Sequence, residues 1–203
     1  MAADKIKKHD EEEQLSFAQS IMMYLHDMIH LLAVVMIVFV LLFRIVIVSG
    51  SSMYSTLQNG DWLLVTGSVF YTEPQVGDII VASKDSFNAG EPIIKRVIAT
   101  EGQTVDIDFE KGIVYVDGTP LQEDYTYTPT NIEEGVIFPI TIAQDCVFAM
   151  GDNRNGSRDS RDPSIGMIDK REILGKAVLL VFPGTGEGSN SAPRDFDRIG
   201  AIK

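Results

Sequence analysis

The chain has 203 residues, a formal net charge of −12 and a single cysteine, Cys146. Acidity of that size argues against a nucleic-acid partner, because phosphate binding needs clustered Lys and Arg. One cysteine excludes an intrachain disulfide, and its apolar neighbours Val147, Phe148 and Ala149 mark it as a small hydrophobe rather than a nucleophile.

In chain order, residues 1–28 include the acidic run Asp10-Glu11-Glu12-Glu13, and an uncharged apolar stretch follows from Leu31 to Phe43. Arg44 interrupts it and Ile45-Val46-Ile47-Val48 continues it. The 18 residues from Leu31 to Val48 are just enough to cross a bilayer core, with the arginine snorkelling to the headgroups. We therefore expect a transmembrane anchor helix over 29–48, in contact with membrane lipid. The stretch ahead of it is too long and too acidic for the basic n-region of a cleaved leader. Lys5, Lys7 and Lys8 precede the anchor, which favours a cytoplasmic N-terminus for residues 1–28.

His9, His26 and His30 all lie in or before that segment, and no histidine follows. A Cys–His pair in the following domain is therefore impossible, and a zinc centre lacks ligands. We expect no metal and no cofactor. A serine nucleophile there would need another base, and lysine is the suitable side chain.

Beyond residue 49 the pattern becomes short β-rich segments: 62–65, 78–82, 93–99, 104–109, 112–116, 136–142, 146–150 and 173–182. Asn59-Gly60, Lys111-Gly112 and Asp117-Gly118 supply turn chemistry between them. The fold class expected is mainly β, an antiparallel domain over 49–183 following one N-terminal helix. Residues 184–203, rich in Gly, Ser, Asn and Pro at first, read as a flexible tail.

Three stretches carry chemistry. Gly50-Ser51-Ser52-Met53-Tyr54-Ser55-Thr56-Leu57 could be a linker, but Met53 and Leu57 are apolar, which argues for an ordered turn bearing Ser52. In Ile93-Ile94-Lys95-Arg96-Val97-Ile98, strand alternation puts Lys95 on the face of Ile93 and Val97. Burial there lowers the amine pKa, and only the neutral amine can act as a general base. The third stretch, Gly151 to Asp162, alternates Asp and Arg around Ser157 and Ser160, as in a self-paired loop. Arg154 occupies a ligand position of the calcium-loop pattern and excludes that site.

Together these stretches resemble the type I signal peptidases, membrane-anchored Ser/Lys proteases. Ser52-Met53-Tyr54-x-Thr56-Leu57 is similar to the family's nucleophile box and Lys95-Arg96-Val97 to its lysine box. Gly151-Asp152-Asn153-Arg154-x-x-Ser157-x-Asp159-Ser160-Arg161 resembles the third box, and Gly77-Asp78-Ile79-Ile80-Val81 the remaining segment. The short spacing between the lysine and third boxes resembles the smaller Gram-positive type.

The resemblance implies a serine endopeptidase that cleaves signal peptides from exported preproteins at the cell membrane, with its domain extracytoplasmic. It implies Ser52 as nucleophile, Lys95 as general base and Ser157 as the hydroxyl orienting the lysine. Asp152, Asp159 and Arg161 would support the site, and the Ser52 N–H would contribute to the oxyanion hole. Ser55 stands where the family usually has proline, and Gly50, where some members have serine, leaves a second oxyanion donor unassigned. The alternative is a non-catalytic or substrate-restricted homologue acting in the assembly of surface proteins such as pilins.

Overall fold

The computed structural model describes residues 2–186 and 193–202. They divide into two compact units at Leu41/Leu42. The first is one helix, α1 (Ala2–Leu42), whose last 24 residues, Gln19–Leu42, contain an 18-residue stretch of mean hydropathy 2.4 with none of it buried in protein. That length spans about 36 Å at 1.5 Å per residue, more than a bilayer core.

The expected anchor over 29–48 is corrected here. The helix ends at Leu42, and the rest of the apolar run is a strand, β1 (Phe43–Ile47). The change of period has a local cause: Ile45, Val46 and Ile47 are β-branched and pair antiparallel with β2 (Trp62–Gly67), Phe43 opposite Thr66 and Ile47 opposite Trp62.

The second unit is built on antiparallel strands. After β1 and β2 come β3 (Ile79–Ala82), β4 (Ile93–Thr100), β5 (Thr104–Asp108), β6 (Ile113–Val116) and β7 (Thr119–Pro120). They are followed by β8 (Ile140–Thr141), β9 (Cys146–Met150), β10 (Ile168–Asp169), β11 (Ile173–Phe182) and β12 (Gly200–Ala201). The larger sheet runs β1-β2-β11-β3-β4-β9-β10 with β12 on β11, and a smaller one runs β7-β6-β5-β8. The expected mainly β architecture is observed. Along β5, Val105 and Ile107 are buried and Asp106 is exposed.

Each interface has its own core. Val48, Met53, Leu57, Leu63, Val65, Ile79, Val81, Ile94, Ala177 and Leu180 form one cluster. Ile98, Ala99, Val105, Ile107, Val114, Phe148 and Met150 join the small sheet to β4 and β9.

Two further expectations differ from the structure. Of 136–142 only Ile140–Thr141 forms a strand. Val136 N–H donates instead to Arg161 O, so the segment is spent on holding a loop. The flexible tail expected over 184–203 lies outside the described residues at 187–192 and 203, and elsewhere it is anchored. Gly184 N–H donates to buried Asp61 (2.7 Å), and β12 pairs with β11.

Candidate active site

Ser52 sits in a closed turn between β1 and β2. Val48 N–H donates to Asp61 O (2.9 Å) and Gly60 N–H returns to Val48 O (2.8 Å). Gly60 has a φ of +84°, which suits glycine at the exit of the turn. Inside it, Leu57 N–H donates to Met53 O, and both side chains are 1% exposed. Burying each stabilises the segment by about 1.5–3 kcal/mol, which orders a sequence that composition alone would pass as a linker.

Lys95 comes from β4 and is 4% exposed. Its Nζ lies 2.9 Å from Ser52 Oγ and donates to Ile94 O at 3.0 Å. Burial lowers its pKa to about 8, against the opposing pull of the Asp159, Glu134 and Asp152 carboxylates. The amine and hydroxyl that the sequence singled out thus meet within hydrogen-bond reach.

The loop after β9 backs this pair. Asp152 is fully buried and takes a two-pronged bond from Arg96, Nε to Oδ1 at 2.9 Å and Nη2 to Oδ2 at 2.8 Å. Its Oδ2 also accepts from Thr56 Oγ1 at 2.5 Å, tying the nucleophile turn to β4. The Tyr125 ring stacks 4.0 Å from the Arg96 guanidinium carbon. Asp159 accepts from Arg161 Nε (2.8 Å) and Nη2 (2.9 Å) and from Gly151 N–H (3.0 Å). Arg161 also donates to Arg154 O, which closes the loop on itself. The self-paired loop read from alternating Asp and Arg is therefore present, with Asp152, Asp159 and Arg161 all buried.

Gly151 is required by close approach: a Cβ there would collide with Ser52 O and with the Ser157 side chain. Asn153 N–H holds Ser52 O at 3.0 Å. Ser52 N–H has no hydrogen-bond partner among the described residues, whereas Gly50 N–H is engaged by Asn59 Oδ1 (2.9 Å).

One expectation is corrected. Ser157 Oγ is buried beside this group but makes no hydrogen bond to any described residue, so it does not hold the lysine amine. Lys95 Nζ turns to Ser52 Oγ and Ile94 O instead.

Sequence reasoning missed three contributors. Thr56 was seen only as part of a motif, and Arg96 only as the neighbour of Lys95 in its box. An arginine in an apolar strand implies a buried carboxylate partner, and that signal was available. Glu134 offered none, since Glu133-Glu134 looks like any solvated loop. Its half-buried carboxylate faces Arg161 Nη2 at 3.1 Å and accepts Asp159 N–H at 3.2 Å. Burial raises its pKa to about 7, with neighbouring Asp159 adding to the shift.

Beside the pair runs a groove of about 350 Å³, lined by Val46–Ser49, Ser52, Met53 and Glu91–Lys95. β4 pairs with β9 only from Arg96 onward, so Ile93–Lys95 has a free edge on that side. Among the described residues, no cluster of His, Cys, Asp or Glu could hold a metal ion.

Comparison with known proteins gives the chain's relatives. The sequence model described as "Signal peptidase, peptidase S26" matches residues 21–182. The chain is 39% identical to a probable signal peptidase I-1 of Synechocystis sp. over 145 residues, 68% of this chain and 70% of that protein. It is 34% identical to a signal peptidase I of Bacillus amyloliquefaciens over 152 residues, 70% and 75% of the two chains. It is 29% identical to a signal peptidase I of Bacillus licheniformis over 181 residues, 85% and 95% of the two.

Proposed function

The chain belongs to the signal peptidase family, a serine endopeptidase that removes signal peptides from preproteins, and on that premise we propose that Ser52 and Lys95 are its nucleophile and base. The observation that carries this reading is the 2.9 Å contact between Lys95 Nζ and Ser52 Oγ in a domain without histidine.

The chemistry follows from the protonation state of the amine. Neutral Lys95 accepts the Ser52 proton as Oγ attacks the scissile carbonyl, forming a tetrahedral oxyanion. The Ser52 N–H, without a hydrogen-bond partner among the described residues, is a donor available to that oxygen. The Lys95 ammonium then protonates the departing amine of the mature protein, leaving an acyl-enzyme on Ser52. A water molecule that gives its proton to Lys95 hydrolyses the ester and restores the serine. Asp152, Asp159 and Arg161 keep the pair in register, and Ser157 packs beside it.

The precursor lies extended in the groove, adding a strand to the free edge of Ile93–Lys95. Val48, Met53 and Ile94 give the groove an apolar wall for the side chains before the scissile bond. The window Gln19–Leu42 anchors the chain in the membrane lipid as a single-pass helix. The lysines at 5, 7 and 8 support a cytoplasmic N-terminus, with the domain from residue 42 onward on the opposite side. This arrangement brings the enzyme to the membrane in which the signal peptide's own apolar segment resides.

The experiment is cleavage of a preprotein by the purified full-length protein beside Ser52→Ala and Lys95→Ala. Both substitutions abolish processing if the pair is catalytic; undiminished cleavage by either one sinks the assignment.

A further inference from the structure

The matched family segment ends at residue 182, yet the chain returns beyond it to the nucleophile turn. After β11, residues 193–202 run back along the domain. Ile202 N–H donates to Val178 O, β12 pairs with β11, and Ile202 packs on the cluster containing Met53 and Leu57. Within this segment a short helical turn, Phe196–Arg198, capped by the Asp195 side chain, presents Arg198.

Arg198 forks onto Asp61, Nη1 to Oδ1 at 3.0 Å and Nη2 to Oδ2 at 2.6 Å, and Nη2 also reaches Thr56 O at 3.3 Å. Asp61 is fully buried and closes the nucleophile turn: its carbonyl accepts Val48 N–H and its carboxylate accepts Gln58 N–H at 2.7 Å. Thr56 is consequently held at two points, its hydroxyl by Asp152 and its carbonyl by Arg198. One clamp comes from the loop after β9, the other from the C-terminal segment.

We propose that Arg198 is a positioning residue for Ser52, acting through Asp61 and Thr56 so that the C-terminal segment sets the aim of the nucleophile. The inference rests on Ser52 being the nucleophile. A fork satisfies both oxygens of a buried carboxylate at fixed angles, so the turn is held in orientation as well as in place. Arg194 belongs to the same segment but donates to Pro183 O and covers the Phe182 ring, without touching the turn. That makes it the natural control for anchoring of the segment as such.

The test measures kcat and KM for preprotein cleavage by full-length Arg198→Ala, Arg198→Lys, Arg194→Ala and Ser52→Ala, with folding checked by circular dichroism. Misplacing a nucleophile by about 1 Å costs on the order of 100-fold. Arg198→Ala should therefore lose about 10- to 100-fold in kcat with KM nearly unchanged, and Arg194→Ala should match the parent. Arg198→Lys should recover part of the loss, because a point charge reaches one oxygen of Asp61 but not the fork. Guanidinium ion, added far below unfolding concentrations, should raise kcat of Arg198→Ala alone. Parental kcat in folded Arg198→Ala, equal losses in the two arginine variants, or no response to guanidinium overturns the proposal. Where Arg198→Ala does not fold, Arg198→Lys carries the test: a loss confined to kcat supports the role and parental kcat overturns it. Residual cleavage by Ser52→Ala would instead overturn the nucleophile assignment, a separate failure.

Discussion

Lys95 Nζ reaches Ser52 Oγ at 2.9 Å across 43 residues of sequence, from a strand whose Ile94, Val97, Ile98 and Ala99 are buried in apolar cores. The same burial that makes this lysine costly to the fold makes it usable as a base at moderate pH. Its pKa, lowered to about 8 by desolvation, puts the neutral amine within reach of ordinary conditions.

That cost is measurable. With a folded value near 8 against the usual 10.5, the unfolded chain binds more protons between those limits, so stability rises with pH across that window. Below it the buried ammonium destabilises the fold, by about 3 kcal/mol at 1.36 kcal/mol per unit. Replacing Lys95 by Met should therefore abolish cleavage yet stabilise the domain at pH 7 by about 1–3 kcal/mol. Urea unfolding of the two proteins checks this, and a destabilised Lys95→Met would contradict it.

Glu134 tunes the same amine. Its carboxylate raises the Lys95 pKa, opposing desolvation, and it pairs with Arg161 at 3.1 Å. Glu134→Gln removes a negative charge that favours the ammonium, so the alkaline rise in activity should move to lower pH. The comparison is kcat/KM against pH for the two proteins; a limb displaced to higher pH would refute the assigned sign.

Asp152 joins Arg96 and Thr56 in a site with almost no solvent. Asp152→Asn leaves the Arg96 guanidinium buried without its counter-charge, a loss of about 3–5 kcal/mol for a broken buried pair. Thr56→Val removes only the bond from turn to loop and should cost about 1 kcal/mol of stability. Activity should fall in Thr56→Val by more than stability explains, since the freed turn carries Ser52. Thermal unfolding read beside kcat separates the two effects.

Most strands were readable because apolar alternation and Gly turns bracket them, and Cys146–Met150 and Ile173–Phe182 have the bounds expected. The helix-to-strand switch at Phe43 was not. A continuous apolar run carries no period, so β1 merged with the anchor until its pairing with β2 was seen. At 136–142 the apolar pattern was genuine but the partner was a loop carbonyl, Arg161 O. Ser52 and Lys95 announced themselves by residue type against a histidine-free background. Their support did not: Thr56 lies 96 residues from Asp152, and Asp61 137 from Arg198. Such long-range pairs leave no local trace, and the Ser157 hydroxyl, expected on the lysine, makes no hydrogen bond to any described residue.

The pH dependence of kcat/KM for preprotein cleavage, followed from about pH 6 to 10, tests most directly whether an uncharged Lys95 activates Ser52. Below a pKa of about 8 the amine holds its proton and cannot take that of Ser52; above it the base is free. The account predicts a rate that climbs through a midpoint near 8 and then levels. A flat profile, or one that declines as the amine loses its proton, would contradict it.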